Sequence, residues 1–175
     1  GVLRVVPNGV DTELFKPLPS VTRKKGQIIA TASADAPLKG LPVLLKAFKK
    51  LVEMDPTRQL LLIARPKAGG DTEALIQRLG LVDHIHFVGD ASHEEINRLY
   101  AESTVAVVPS LYEGFGLPAV EAMAAGIALV SRDGGALAEV VADGGLLVPA
   151  GDSDALAETL EQVLTDPNLA RALGD

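Results

Sequence analysis

The chain has 175 residues, 16 Lys and Arg against 23 Asp and Glu, a formal net charge of −7, 47% apolar residues and 22% charged ones. That is a globular composition, long enough to bury one core and too apolar for disorder. An acidic balance lacks the cationic footprint of nucleic-acid binding, 3% aromatics leave little for base stacking, and the absence of cysteine excludes disulfides and thiolate chemistry.

No apolar run reaches the ~18 residues of a membrane span, and no signal-peptide layout is present. The chain opens Gly1-Val2-Leu3-Arg4-Val5-Val6 without an initiator Met. It reads as a piece of a longer protein that begins inside an element, so a two-domain function would be present only in part. Residues 1–20 are turn-rich, with Pro7-Asn8-Gly9 and Pro17-Leu18-Pro19. They are expected to form a lead-in segment or interdomain connection ahead of a domain spanning residues 21–175.

From there apolar runs alternate with helical patterns. Residues 27–31 begin the first run. Leu41, Leu44, Leu45, Phe48, Leu51 and Val52 recur at helical spacing, with Lys46, Lys49 and Lys50 on the other face. Residues 60–64 read as a buried strand, 71–81 as a helix and 85–88 as a strand. Ser92 and Glu95 form a capping-box pattern ahead of Ile96, Leu99 and Tyr100. A buried strand over 105–108 precedes a helix from Pro118 through Ala125. Strands over 127–130 and 146–148 follow, then a helix capped by Asp152 and a last helical piece from Pro167. Such a βαβα series folds as an α/β domain, a parallel sheet with helices on both faces. Ligands of such sheets bind at the carboxyl ends of the strands, near the reversal of strand order.

The sharpest stretch is Pro109-Ser110-Leu111-Tyr112-Glu113-Gly114-Phe115-Gly116-Leu117-Pro118, with Glu121 beyond it. Its glycines let backbone approach a ligand, and the free amides of a helix start attract an anion. Amides for a phosphate between two carboxylates for hydroxyls suit a polyhydroxylated phosphate ester. A plainer reading is a glycine turn whose Glu121 complements the helix dipole. Gly114, Gly116 and Ala119 also match G-x-G-x-x-A, with Asp133 lying 19 residues past Gly114, which keeps a dinucleotide reading open. Lys39, ahead of Gly40, is a point charge for a diphosphate or a solvated lysine. Gly134 and Gly135 line the ligand or form a plain turn. His84, His86 and His93 lack metal-ligand spacing and read as ordinary residues.

In order along the chain, Val6-Pro7-Asn8-Gly9-Val10-Asp11 with Phe15, Leu38-Lys39-Gly40, Val88-Gly89, Pro109-Ser110 through Glu121-Ala122-Met123-Ala124, Gly134-Gly135 with Glu139-Val140-Val141, and Leu147-Val148-Pro149 resemble the retaining glycosyltransferases of family 4, the group 1 glycosyl transferases. The Glu113–Glu121 pair with its glycines is the specific part; the others gain weight from their order. The resemblance covers essentially the whole chain. It implies the carboxyl-terminal, donor-binding, Rossmann-like domain of the two-domain GT-B architecture, with an acceptor-binding domain before Gly1. It implies a nucleotide-diphosphate sugar as substrate, retention of configuration, no metal or other cofactor, and a cytoplasmic location. Position by position, Glu113 would bind sugar hydroxyls, the amides of Phe115, Gly116 and Leu117 would hold sugar and phosphate, and Glu121 the ribose. Lys39 would hold the diphosphate, while Arg65 and the backbone at Val88 would frame the nucleobase.

Two departures stand out. The family's usual Arg five residues before the Lys is Ala34 here, beside Asp35, and Arg65 or Arg132 would have to compensate. Arg65-Pro66-Lys67-Ala68-Gly69-Gly70 stands where a Gly-x-Gly-Pro turn is common. Sugar-nucleotide epimerases and phosphorylases share the implied architecture, and a nucleotide-binding module without activity is the non-enzymatic alternative.

Overall fold

The computed structural model describes residues 8–32, 40–111 and 114–175. They form β1 (Gln27–Thr31), α1 (Leu41–Met54), β2 (Gln59–Ile63), α2 (Asp71–Leu79), β3 (Ile85–Val88), α3 (His93–Glu102), β4 (Val105–Val108), α4 (Leu117–Ala124), β5 (Ala128–Asp133), α5 (Gly135–Val141), β6 (Leu146–Pro149), α6 (Ser153–Thr165) and α7 (Pro167–Gly174). The six strands lie in the order β3-β2-β1-β4-β5-β6, and every pairing is parallel. The order reverses between β1 and β4, so the loops leaving those two strands flank the switch point.

Period-two alternation divides the core between the sheet's two faces. Ile28, Ala30, Leu60, Leu62, Ala128 and Val130 face α1 and α6, where Leu44, Phe48 and Leu160 are fully buried. Ile29, Ala106 and Leu129 face the other way, among Leu99, Tyr100, Ala119 and Leu137. Phe15, from the stretch ahead of the sheet, is 3% exposed in that second core and meets the Tyr100 ring edge-on at 6.4 Å.

The helix starts use the chemistry their sequences offer. Ser92 accepts from the Glu95 amide at 3.2 Å. Asp152 accepts from Asp154 and Ala155, and Asp166 from Asn168 and Leu169. α2 stops at Leu79, short of the expected 81, because Gly80 turns the backbone left-handed at φ 70°. β2 and α4 each lie one residue earlier than expected. The larger correction concerns β5. It runs to Asp133, so Ser131, Arg132 and Asp133 are strand rather than loop. Each finds a parallel partner in β6, down to Asp133 opposite Pro149, and the Ser131 hydroxyl donates to the Val108 carbonyl at 3.3 Å.

At the amino-terminal edge of the sheet two arginines are spent internally. Arg23 donates to the carbonyls of Ser103 and Gly126, at the carboxyl ends of α3 and α4, at 3.0 and 2.7 Å. There it satisfies orphan carbonyls at the negative ends of two helix dipoles. Arg58, only 4% exposed, forks onto Glu161 with nitrogen–oxygen distances of 2.9 and 3.1 Å. A groove of about 770 Å³ between these groups and α7 is bordered by these two structural arginines and by Lys25 and Arg171.

The two switch-point loops meet at Gly40, the residue ahead of α1. It adopts φ 67°, and a Cβ there would stand 2.0 Å from the Pro109 carbonyl oxygen. Gly40→Ala is expected to lower stability by about 2–4 kcal/mol, from left-handed strain plus displacement of one loop. Urea denaturation measures this, and an unchanged midpoint would show that the loops part freely.

Candidate functional site

The site is built on the start of α4. Gly116 precedes the helix at φ 91°, without a side-chain cap. A Cβ on Gly116 would lie 2.5 Å from the Leu137 side chain, so this glycine lets α5 close against the turn. The Gly116 carbonyl accepts from Ala119 at 2.9 Å and Val120 at 3.3 Å. The amides of Phe115, Gly116 and Leu117 find no acceptor among the described residues. Pro118 has no amide to offer, which concentrates the unpaired donors at 115–117. Gly114 and Leu117 are exposed there, Leu117 at 45%. An open cluster of unpaired amides at the positive end of a helix is an anion seat.

Glu121 lies on the next turn, half-buried. Burial pushes its carboxyl up from the ordinary value, against the opposing pull of His93. His93 begins α3 and stacks at a tilt on Phe15, with centroids 5.8 Å apart. Tyr100 lies beneath the site. Its hydroxyl is 3.5 Å from Thr31 Oγ1, at the end of β1, and 3.4 Å from the Pro118 carbonyl, in the first turn of α4. Burial raises its phenol above the ordinary value, so it stays neutral.

The residues expected at the site divide into groups. Phe115, Gly116, Leu117 and Glu121 share the start of α4, and the contact with Leu137 brings Gly134 and Gly135 alongside. Gly134 and Gly135 enter α5 with φ 128° and 59°. Val88 and Arg65 stand apart, at the carboxyl ends of β3 and β2 on the far side of β1. There the Val88 carbonyl accepts from Ala64 at 3.1 Å, and Arg65 is ion-paired with Asp90. Lys39, Ala34, Asp35 and Glu113 lie outside the described residues. His84 and His86 sit on the Arg58 carbonyl and the Gln59 side chain.

Sequence reasoning missed the hydroxyl of Tyr100, which read only as one apolar position of a helix. It also missed the nearness of His93 to Glu121, for which the spacing gives no signal.

A singly reversed parallel sheet, helices on both faces and an uncapped helix start beside the reversal define a Rossmann-like ligand-binding domain. The chain belongs to the group 1 glycosyl transferases: the family described as "Glycosyl transferases group 1" matches residues 15–175. It is 48% identical over 178 residues to the MMP alpha-(1->4)-mannosyltransferase of Mycolicibacterium hassiacum, covering 99% of this chain and 42% of that protein. Among solved structures, the C-terminal domain of a Glycosyl Transferase Group 1 Family Protein from Francisella tularensis superposes with a TM-score of 0.81 at 27% identity, covering 95% of this chain and 93% of that one. Anabaena HepE, solved in complex with UDP and glucose, superposes with a TM-score of 0.82 at 25% identity, covering 98% of this chain and 50% of HepE. The chain thus corresponds to the carboxyl-terminal domain of a GT-B glycosyltransferase and spans less than half the length of the mannosyltransferase it matches. Among the described residues no helix is long and apolar enough to cross a membrane.

The position of Glu121 has a consequence for stability. An acid whose native pKa is raised costs the fold most when ionised, and nothing once both folded and unfolded states are protonated. Glu121→Gln should therefore raise the urea midpoint at pH 7, where the wild type bears the penalty. The advantage should shrink as pH falls through the raised native value and vanish below the ordinary glutamate value of about 4.3. A pH-independent difference would remove desolvation as its cause.

Proposed function

We propose that this domain binds the donor of a glycosyltransferase that moves a sugar from a nucleotide-diphosphate sugar to an acceptor, with retention of configuration and without a metal. Residues 21–175 form the donor domain and the stretch before them the connection to an acceptor domain. The observation that carries this is the cluster of amides at 115–117 that find no acceptor among the described residues, between exposed Gly114 and Leu117 at the switch point, with Glu121 one turn along the same helix. A diphosphate needs such donors, and a ribose diol needs a carboxylate within reach.

In this reading Glu121 takes the ribose hydroxyls and Glu113 the sugar hydroxyls. Lys39 supplies a cation to the diphosphate. The backbone at Val88 and the Arg65–Asp90 pair frame the nucleobase, while Gly114, Gly134 and Gly135 border the sugar. Breaking the sugar–phosphate bond leaves negative charge on the departing diphosphate. Fixed amide dipoles and Lys39 stabilise that charge more in the transition state than in the ground state. The anomeric carbon becomes oxocarbenium-like, and water must be kept from it. This chain by itself binds donor and does not complete transfer; the whole protein works in the cytoplasm, where nucleotide sugars reside. Family membership sets aside the nicotinamide reading of Gly114, Gly116 and Ala119. The similarity to a structure solved with UDP puts UDP at the head of the probes.

Calorimetry with UDP, GDP, ADP and NAD tests the proposal. One nucleoside diphosphate should bind, and Glu121→Ala should abolish measurable binding. Lys39→Ala should weaken it by roughly 1.5–3 kcal/mol, as for a hydrogen bond to a charged group. A preference for NAD would overturn the assignment.

A further inference from the structure

We propose that Arg132 is a second anion anchor of the ligand face, donating through its outer guanidinium edge to a phosphoryl oxygen of the nucleoside diphosphate. This rests on the donor-binding reading above and adds a residue to it.

The strand register places it. β4 and β5 pair as far as Val108 opposite Ser131. Arg132 is therefore one step beyond the last paired residue of β4, at the height of Pro109. Pro109 is where the loops from β1 and β4 cross against Gly40. Strand alternation fixes the face. Ala128 and Val130 belong to the core under α1 and α6, so Arg132 projects toward the side where α1 begins. A cavity of about 10 Å³ confirms the neighbourhood, since Val43, Pro109 and Arg132 line it together. Val43 is in the first turn of α1.

The partners of Arg132 are the second observation. It makes no hydrogen bond or ion pair among the described residues, and its Nε is buried without an acceptor. The nearby acids do not answer it. Asp152, which shares the cavity, accepts two amides at the start of α6. Asp133 is exposed at the end of β5. Holding a cation half-buried without a counter-charge is costly, and a group left so calls for a missing partner. Arg23, Arg58 and Arg65 differ in that each has a carbonyl or carboxylate partner within the protein.

Gly134 and Gly135 complete the seat. A Cβ on Gly134 would stand 3.2 Å from Nη1 of Arg132, and one on Gly135 would stand 3.4 Å from Nη2. The bare backbone leaves room for the fork to lie flat with its Nη edge uncommitted. That edge presents paired N–H groups of the geometry that grips phosphate.

The test compares the wild-type chain with Arg132→Met, which keeps much of the volume and removes the charge. Binding of UDP, GDP and ADP is read by calorimetry, and binding of the matching nucleoside by ligand-observed NMR. Loss of a charged hydrogen bond should weaken the diphosphate about 10- to 100-fold and leave the nucleoside unchanged. Unchanged diphosphate affinity in a folded variant would overturn the proposal and leave Arg132 as a cavity-filling side chain satisfied by one buried water. Equal losses for nucleoside and diphosphate would overturn it as well, as general damage to the site. Should the Met variant unfold, Arg132→Gln decides by the same comparison. A wild-type chain that binds none of the three diphosphates would overturn the donor reading itself, and this proposal with it.

Discussion

The contact between Gly40 and Pro109 is the constraint on which the ligand face depends. One loop leaves β1 and turns into α1 on one face of the sheet; the other leaves β4 and turns into α4 on the opposite face. Backbone must pass backbone where they diverge, and the 2.0 Å that a Cβ would leave to the Pro109 oxygen admits only glycine. A close crossing brings two helix starts over adjacent strand ends and leaves a shallow rim between them. Tyr100 reinforces the rim from below, since its hydroxyl lies between the end of β1 and the first turn of α4. α3, from which Tyr100 comes, is thereby tied to the geometry of the site, to which it also brings His93 near Glu121.

Charge is distributed unequally between the two edges of the sheet. The amino-terminal edge collects helix carboxyl ends, and there Arg23 and Arg58 are consumed by carbonyls and carboxylates of the protein itself. The carboxyl-terminal edge collects helix amino ends. Two of its helices, α3 and α6, satisfy their first amides with Ser92 and Asp152. α1, α2, α4 and α5 start instead at glycines without a side-chain cap, and in α1 and α4 a proline removes a donor that a cap would otherwise serve. In a protein with a net charge of −7, the uncapped start of α4 keeps backbone donors available to an anion.

Much of the fold was legible because the local signals agreed with one another. The apolar runs of β3 and β4 have the bounds their sequences suggest, and the Asp152 and Pro167 punctuation falls where it should. β5 was read too short because Ser131, Arg132 and Asp133 look like a loop. A polar strand end becomes visible only when its pairing with β6 is known. The start of α4 was legible because glycines, proline and acids act locally there. The crossing at Gly40 was not, since its reason lies in Pro109, far along the chain. The burial of Phe15 beside Tyr100 has the same character: proline-rich flanks suggest a connector, and only the core shows that one of its side chains is structural.

The openness of the amide cluster bears on why such a domain is paired with another in the proposed chemistry. Leu117 is 45% exposed beside Gly114, so solvent reaches the seat from above. In water a hydrogen bond from an amide to a phosphate competes with solvent; in a closed, low-dielectric site the same dipoles are worth far more. An open seat can recognise a nucleotide but is poorly placed to stabilise a leaving diphosphate, and it leaves an oxocarbenium-like carbon exposed to hydrolysis. A covering surface that excludes water would strengthen the amides and protect the intermediate charge at the same time. Under the donor-binding reading, the exposed apolar Leu117 at the rim is then a place for that surface to rest. The half-buried Glu121 is already partly prepared for the drier environment that closure would complete.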